Sequence, residues 1–303
     1  MRVGWVGLGA MGAPMAACVV AAGHEVTGYD IALPPVQELV RRGGTAAVSA
    51  HDAARAAEAL VIIAATPDQV ETILFGPSGA APALAEGVPV LIMSTVGPDA
   101  VTGWTRRLAA RNVPVVDAPV SGGTARAAAG TLLAMVSGPA DAIARVRPLL
   151  DAMTDQAPVV GDTPGDGQRV KLVNQLLCGV HIAAAAEALA FAEALGLDPA
   201  RCHEIIRTGA AASFMLDDRG PRMLAARFDD VRSALDIFVK DMGLVVGAAR
   251  AGRLPVPLAA VAEQLYLAGA RAGLGRKDDS SLIEVARGRI GPAARSEGTS
   301  DRD

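Results

Sequence analysis

Between residues 2 and 22 the chain passes from a short β-branched run, through Gly7-Leu8-Gly9-Ala10-Met11-Gly12, into a helical stretch over 13–22. Few folds accept that order. A glycine-rich turn joining a strand to a helix belongs to a βαβ unit: Gly7 permits the tight turn, Gly9 lets a pyrophosphate approach the backbone, and Gly12 allows close helix–strand packing. The helix amino terminus adds N–H groups and the positive end of a dipole. Gly7, Leu8, Gly9, Ala10, Met11 and Gly12 are therefore candidate dinucleotide contacts. The alternative, a glycine turn with no ligand, fits the flanking strand and helix less well.

The rest of the first half repeats this texture. Strands are predicted over 24–29, 60–64, 89–93, 113–117 and 131–137, with helices between them that would cover both faces of a doubly wound, Rossmann-type sheet. After about Thr163 no β-branched run follows. The pattern predicts a long helix over 167–195 and then further helices, with breaks at Gly196-Leu197-Asp198-Pro199, Gly220-Pro221 and Pro255-Val256-Pro257. The expected organisation is α/β followed by all-helical: a dinucleotide-binding domain over 1–163, a helical substrate or dimerisation domain over 164–290, and a disordered polar tail over 291–303.

Composition narrows the function classes. With 28 Lys and Arg against 32 Asp and Glu, the net charge is −4 and the basic residues are scattered, which argues against a nucleic-acid partner. Cys18, Cys178 and Cys202 are odd in number and far apart, which suggests neither a disulfide framework nor a zinc site, and no His/Cys/carboxylate grouping has metal spacing. A reducing, cytoplasmic setting fits. The longest apolar stretch, residues 176–192, contains His181 and Glu187 and reads as a buried helix rather than a membrane span.

Asp30 closes the second predicted strand, 18 residues after Gly12. A carboxylate there would accept hydrogen bonds from the adenine ribose and repel a 2′-phosphate, and Ile31-Ala32-Leu33-Pro34 offers no cation to such a phosphate. NAD is therefore expected over NADP; a capping or solvated Asp is the alternative. Thr66-Pro67 and Ser94-Thr95 are each an ordinary turn signal alone, but both follow a strand on the same edge of the sheet, where open α/β sheets hold ligands, which makes them candidate nicotinamide-side contacts.

Asp117-Ala118-Pro119-Val120-Ser121-Gly122-Gly123 follows another strand. Ser121, Gly122 and Gly123 would expose successive N–H groups suited to a carboxylate, and a simple turn competes equally on local evidence. Lys171 and Gln175 share a helix face that Asn174 borders. A lysine at the sheltered start of such a helix is a candidate proton shuttle with a lowered pKa; a snorkelling surface lysine is the open alternative. Lys240 and Asp241 form a second charged pair in an apolar context, in which Lys240 would approach a cofactor and Asp241 would orient a lysine; an ordinary intrahelical surface pair is the open alternative.

Taken together, these segments resemble the β-hydroxyacid dehydrogenase family, from residue 1 to about 286. The resemblance is carried by the glycine loop with Met15, by 117–123, by the lysine–asparagine segment over 165–175 and by Lys240-Asp241. Longer strings, over 173–183, 233–241 and 275–280, are similar to the branch acting on four-carbon sugar acids such as L-threonate. The resemblance implies an NAD-dependent oxidoreductase of small hydroxycarboxylic acids, assembling as a homodimer or homotetramer. It implies Lys171 as general acid/base, Asn174 as the residue that orients substrate, and Ser121, Gly122 and Gly123 as the carboxylate loop. Gln175 and Asp241 then stand on the substrate side, and Thr66, Pro67, Thr95 and Lys240 on the cofactor side. Two departures are Pro34-Pro35 after Asp30 and Thr66 where an aliphatic residue is usual. The competing readings are a 3-hydroxyisobutyrate dehydrogenase, a reductase of a three-carbon semialdehyde such as tartronate semialdehyde, a related imine reductase, against which Lys171 argues, and a dinucleotide-binding scaffold without turnover.

Overall fold

The computed structural model describes residues 1–289, so the tail expected over 291–303 lies outside the described residues. The chain forms two compact units, Met1–Asn174 and the part from Gln175 onward.

Eleven strands lie in the first unit: β1 (Arg2–Val6), β2 (Glu25–Tyr29), β3 (Thr45–Ala46), β4 (Ala59–Ile62), β5 (Val90–Ile92), β6 (Val115–Asp117), β7 (Val120–Ser121), β8 (Leu132–Ala134), β9 (Val136–Ser137), β10 (Thr154–Gln156) and β11 (Val159–Gly161). The main sheet has the order β11-β9-β6-β5-β4-β1-β2-β3. From β3 to β6 it is parallel and doubly wound, and its strand order reverses between β1 and β4. A small second sheet has the order β10-β8-β7. The helices are α1 (Gly12–Ala21), α2 (Leu33–Arg41), α3 (Ala50–Ala54), α4 (Pro67–Phe75), α5 (Pro98–Ala109), α6 (Gly123–Ala129) and α7 (Ala140–Met153), followed by α8 (Asp166–Ala194), which runs through the unit boundary.

The strands read as unbroken apolar runs because both faces are covered. Alternate residues of β1, β4, β5 and β6 enter two separate cores: Val3, Trp5, Val61, Leu91 and Val116 pack on one face, and Val6, Leu60, Ile62, Ile92 and Val115 on the other. This is the period-two alternation of a strand with no solvent face. Each such side chain contributes about 1.5–3 kcal/mol by burial. The run predicted as one strand over 131–137 serves two sheets. Leu132–Ala134 pairs in the small sheet and Val136–Ser137 in the large one, with Met135 N–H donating to Pro119 O at 3.0 Å between them.

The second unit holds the rest of α8 with α9 (Pro199–Ile206), α10 (Phe214–Ala225), α11 (Leu235–Ala251), α12 (Pro257–Gly269) and α13 (Leu282–Ala286). Its described residues form no extended strand, only an isolated bridge between Ala234 and Asp278. By length and composition α8 is apolar enough to cross a bilayer, yet Ile182, Ala185, Ala186 and Leu189 on it are buried in protein. Tyr266 stacks on Phe238 with centroids 5.3 Å apart, and its hydroxyl donates to Gly179 O of α8 at 3.0 Å.

Two of the predicted breaks stand between helices, at 196–199 and 255–257, and the third does not. Gly220 and Pro221 lie inside α10. Pro221 forfeits one intrahelical hydrogen bond, normally enough to break or kink a helix. Tertiary contacts on both sides of it hold the helix. Arg219 grips Asp279 through Nε at 3.2 Å and Nη2 at 2.8 Å, and Arg222 Nε donates to Asp278 Oδ1 at 3.1 Å. Gly220 is pressed against the His203 ring, where a Cβ would come within 2.4 Å.

Candidate active site

The carboxyl ends of β1, β4, β5 and β6 carry most of the candidate residues of the first unit. At the reversal point, the loop after β1 lies on the loop after β4. A Cβ on Gly7 would sit 1.9 Å from Ile63 O, and Gly7 has φ +98°, so only glycine fits there. Gly12 is equally closed, because a Cβ would meet Gly7 O at 2.1 Å. Gly9 is different: a Cβ there would meet nothing within 4 Å, and its φ lies outside the left-handed region. The fold itself does not require glycine at 9. What the absent side chain leaves is an open approach to the start of α1, which has no side-chain cap and no acidic residue in its first turn. That cradle fits a pyrophosphate.

Asp30 sits at the end of β2, and its carboxylate is tied into this loop. Oδ2 accepts from Leu8 N–H at 2.6 Å and Oδ1 from Ala32 N–H at 2.8 Å. A carboxylate has about four acceptor sites, so capacity remains for ribose hydroxyls. Thr66 caps α4. Its Oγ1 accepts from Gln69 N–H at 3.2 Å, while Gln69 Oε1 accepts from Ala65 N–H at 2.9 Å and Thr66 N–H at 3.2 Å; Pro67 opens the helix. The hydroxyl that departs from the usual aliphatic residue thus closes a capping box. Ser94 Oγ accepts from Ala64 N–H at 2.7 Å, which joins the loops after β4 and β5 beside Thr95.

Ser121 ends β7, and Gly122 and Gly123, with φ of +138° and +73°, open α6. A Cβ on Gly123 would meet nothing within 4 Å, so there the positive φ rather than crowding calls for glycine.

The densest polar cluster of this unit lies under the start of α8. Asp117, fully buried at the end of β6, accepts hydrogen bonds from Gly165 N–H at 3.1 Å, Gln168 N–H at 3.0 Å and Ser137 Oγ at 3.4 Å on Oδ2. Its Oδ1 accepts from Gln168 Nε2 at 2.7 Å. Burial pushes the Asp117 carboxyl up to about 6, against the hydrogen bonds from Gln168, Gly165 and Ser137, which favour the anion. Gln168 uses every valence of its amide. Nε2 also donates to Ser94 O at 3.0 Å, and Oε1 accepts from Val96 N–H at 2.9 Å and Gly97 N–H at 3.0 Å. Gly167 leaves no room for a side chain, since a Cβ would be 2.3 Å from Met135 O. Lys171 follows Gln168 by three residues, at 5% exposure, and Asn174 is half-buried a turn further on.

In the second unit, Asp241 is buried at 2% exposure on α11. Gln175 Nε2 of α8 donates to its Oδ2, and Lys240 Nζ lies 2.7 Å from Oδ1 in a charge contact rather than an aligned hydrogen bond. Asp241 thus gathers two candidate residues, Gln175 and Lys240. Asn174 and Gln175 are neighbours in sequence but fall on opposite sides of the unit boundary. Among the described residues no group of three His, Cys, Asp or Glu is placed to hold a metal ion. Gln168 and Ser137 are the polar residues that sequence reasoning passed over. Their one signal was a polar side chain at a position the surrounding pattern makes buried.

Residues 2–161 match the family model for the NAD-binding domain of 6-phosphogluconate dehydrogenase, and residues 165–286 match the model for the NAD-binding part of NADP-dependent 3-hydroxyisobutyrate dehydrogenase. L-threonate dehydrogenase of Cupriavidus necator is 38% identical over 287 residues, covering 95% of this chain and 96% of the relative. L-threonate dehydrogenase of Escherichia coli K12 is 36% identical over 297 residues, covering 97% and 98%. Among solved structures, 3-hydroxyisobutyrate dehydrogenase from Salmonella typhimurium superposes with a TM-score of 0.89 at 39% identity, covering 93% of this chain and 99% of that one.

Proposed function

Because this chain belongs to the β-hydroxyacid dehydrogenase family, as an oxidoreductase that works with NAD on a CH–OH group, we propose that it oxidises L-threonate or a similar four-carbon sugar acid. The C2 hydroxyl becomes the 2-oxo group. NAD, when bound, supplies the hydride acceptor for oxidation and, reduced, the donor for the reverse reaction. All other steps fall to the protein. The N–H groups of Ser121, Gly122 and Gly123 hold the substrate carboxylate, and Asn174 orients the hydroxyl. Lys171 Nζ takes the hydroxyl proton in oxidation and returns it in reduction. Gln175 and Asp241 belong to the substrate side. Gly7 to Gly12, Asp30, Thr66, Pro67, Thr95 and Lys240 belong to the cofactor.

One observation carries the catalytic part of this reading: Lys171 is buried, at 5% exposure, in the opening turns of α8. Burial keeps bulk water from competing with the substrate hydroxyl for the amine during proton transfer, and the proton passes to solvent once the site reopens. The substrate choice is supported by the L-threonate dehydrogenases at 36–38% identity over nearly the whole chain. NAD is preferred over NADP because Asp30 presents a carboxylate where a 2′-phosphate would sit, and residues 31–35 contain no Lys or Arg. The family resemblance accords with a homodimer or homotetramer in the cytoplasm. The Salmonella structure favours a second reading, in which 3-hydroxyisobutyrate is the substrate.

Both are tested by following NADH or NADPH formation across three- and four-carbon hydroxyacids. Turnover of L-threonate with NAD is the expected result. Turnover confined to 3-hydroxyisobutyrate or glycerate discards the assignment to a four-carbon sugar acid. Lys171→Ala should lower kcat by at least about 100-fold while NADH still binds, and near-full turnover in that variant removes Lys171 from the mechanism.

A further inference from the structure

The start of α8 is capped from a distance. A helix leaves its first N–H groups without intrahelical partners, and a nearby side chain usually satisfies them. Here Gly165 and Gln168 donate to Asp117, 48 and 51 residues earlier in the chain, and Gly167 donates to Ser137 Oγ at 2.9 Å, 30 residues earlier. Both acceptors are fully buried, and both stand at strand ends of the main sheet. The positive end of a 29-residue helix therefore rests on a buried carboxylate.

Gln168 fixes the remaining freedom. Turning its amide over would set its NH2 against the N–H groups of Val96 and Gly97 and its oxygen against Ser94 O, so one orientation alone satisfies all four partners. The same side chain thereby holds the loop that contains Thr95. Rotation or sliding of α8 would break hydrogen bonds to Asp117, Ser94, Val96 and Gly97 at once. Lys171 lies one turn beyond this lock, on the neighbouring position of the helix surface.

We propose that Asp117 and Gln168 are positioning residues for Lys171, a buried lock that sets the helix turn from which the acid/base lysine acts. This rests on the reading of Lys171 as the proton-transfer group. Neither lock residue needs to touch the substrate. Their effect on turnover passes through the placement of the amine, where small displacements are costly.

The test combines Asp117→Asn with Lys171→Ala in the full-length chain and measures kcat, KM for NAD and the melting temperature of each. Asp117→Asn replaces one acceptor oxygen with a donor at a site where all four hydrogen bonds are donated to the carboxylate. It should lower kcat about 10- to 100-fold with KM for NAD changed less than about 2-fold. In the Lys171→Ala background the same change should alter the residual rate by less than about 2-fold, because the group being positioned is gone. Equal losses in both backgrounds, or a folded Asp117→Asn protein with wild-type kcat, overturn the positioning role while leaving Lys171 as the acid/base group. Near-full turnover in Lys171→Ala alone overturns the acid/base reading and this inference with it. If Asp117→Asn does not fold, Gln168→Met, which keeps the length and removes the amide, is put through the same cycle and judged by the same outcomes.

Discussion

Asp117 shows how much one buried side chain can do. Its carboxyl is raised from the ordinary 3.8 to about 6, with burial as the first cause. A folded-state pKa above the unfolded one means that the native protein binds the proton more tightly. The stability from this group is therefore fully present below about 3.8 and is lost as pH rises through about 6. The swing is about 3 kcal/mol at 1.36 kcal/mol per unit. Comparing denaturation midpoints of wild type and Asp117→Asn isolates it, since every other carboxylate is shared. Wild type should gain on the variant as pH falls from 7 to about 4.5; a gap that stays constant means that the site does not titrate in this range. Asp117 was legible as part of a loop motif, yet its partnership with Gln168 was not. The two are 51 residues apart, and Gln168 sits in a segment whose visible features are Lys171 and Asn174. Local patterns report a strand, a turn or a helix face. A hydrogen bond closed by the fold leaves no period to read.

At the scale of elements, the strand–glycine–helix opening was readable because everything that defines it is contiguous. The segment over 131–137 was misjudged as one strand because alternation records pairing but not the sheet to which each half pairs. Pro221 was misjudged for a related reason: its penalty is local, while the Arg219 and Arg222 contacts that outweigh it reach residues 278 and 279. The glycine loop makes a sharp prediction at this scale. Gly12→Ala forces a methyl group to within 2.1 Å of Gly7 O and should cost about 1–3 kcal/mol of stability. Gly9→Ala meets nothing and should leave the melting temperature almost unchanged, within about 0.5 kcal/mol. Its cost should fall on NADH affinity, measured by fluorescence titration. A Gly9→Ala protein that binds NADH as wild type does would remove the pyrophosphate from that opening.

Across the whole molecule, the two units owe their stability to different interactions. The first rests on two apolar cores around a sheet. The second adds a buried ionic cluster in which Arg219, Arg222, Asp218, Asp278 and Asp279 interlock. Burial raises the Asp279 carboxyl even with Arg219 beside it. Burial would also raise Asp278, but hydrogen bonds from Ser280, the Arg232 N–H and Arg222 hold it below its ordinary value. Removing one member strands its partner's charge, so Asp279→Ala should destabilise the protein by about 3–5 kcal/mol in chemical denaturation. A loss below about 1 kcal/mol would mean that Asp218 alone suffices for Arg219. This cluster also orders events during synthesis. Arg219 is translated 60 residues before Asp279, and Arg222 56 before Asp278. At about 5–20 residues per second, a nascent chain carries those guanidinium groups for roughly 3–12 s with Asp218 alone beside them, before the buried Asp278 and Asp279 exist. The first unit can settle on the ribosome during that interval, whereas the second cannot close until the last carboxylates have emerged. A ribosome stalled just short of residue 278 would therefore hold a finished dinucleotide domain attached to an unfinished helical one, open to proteases.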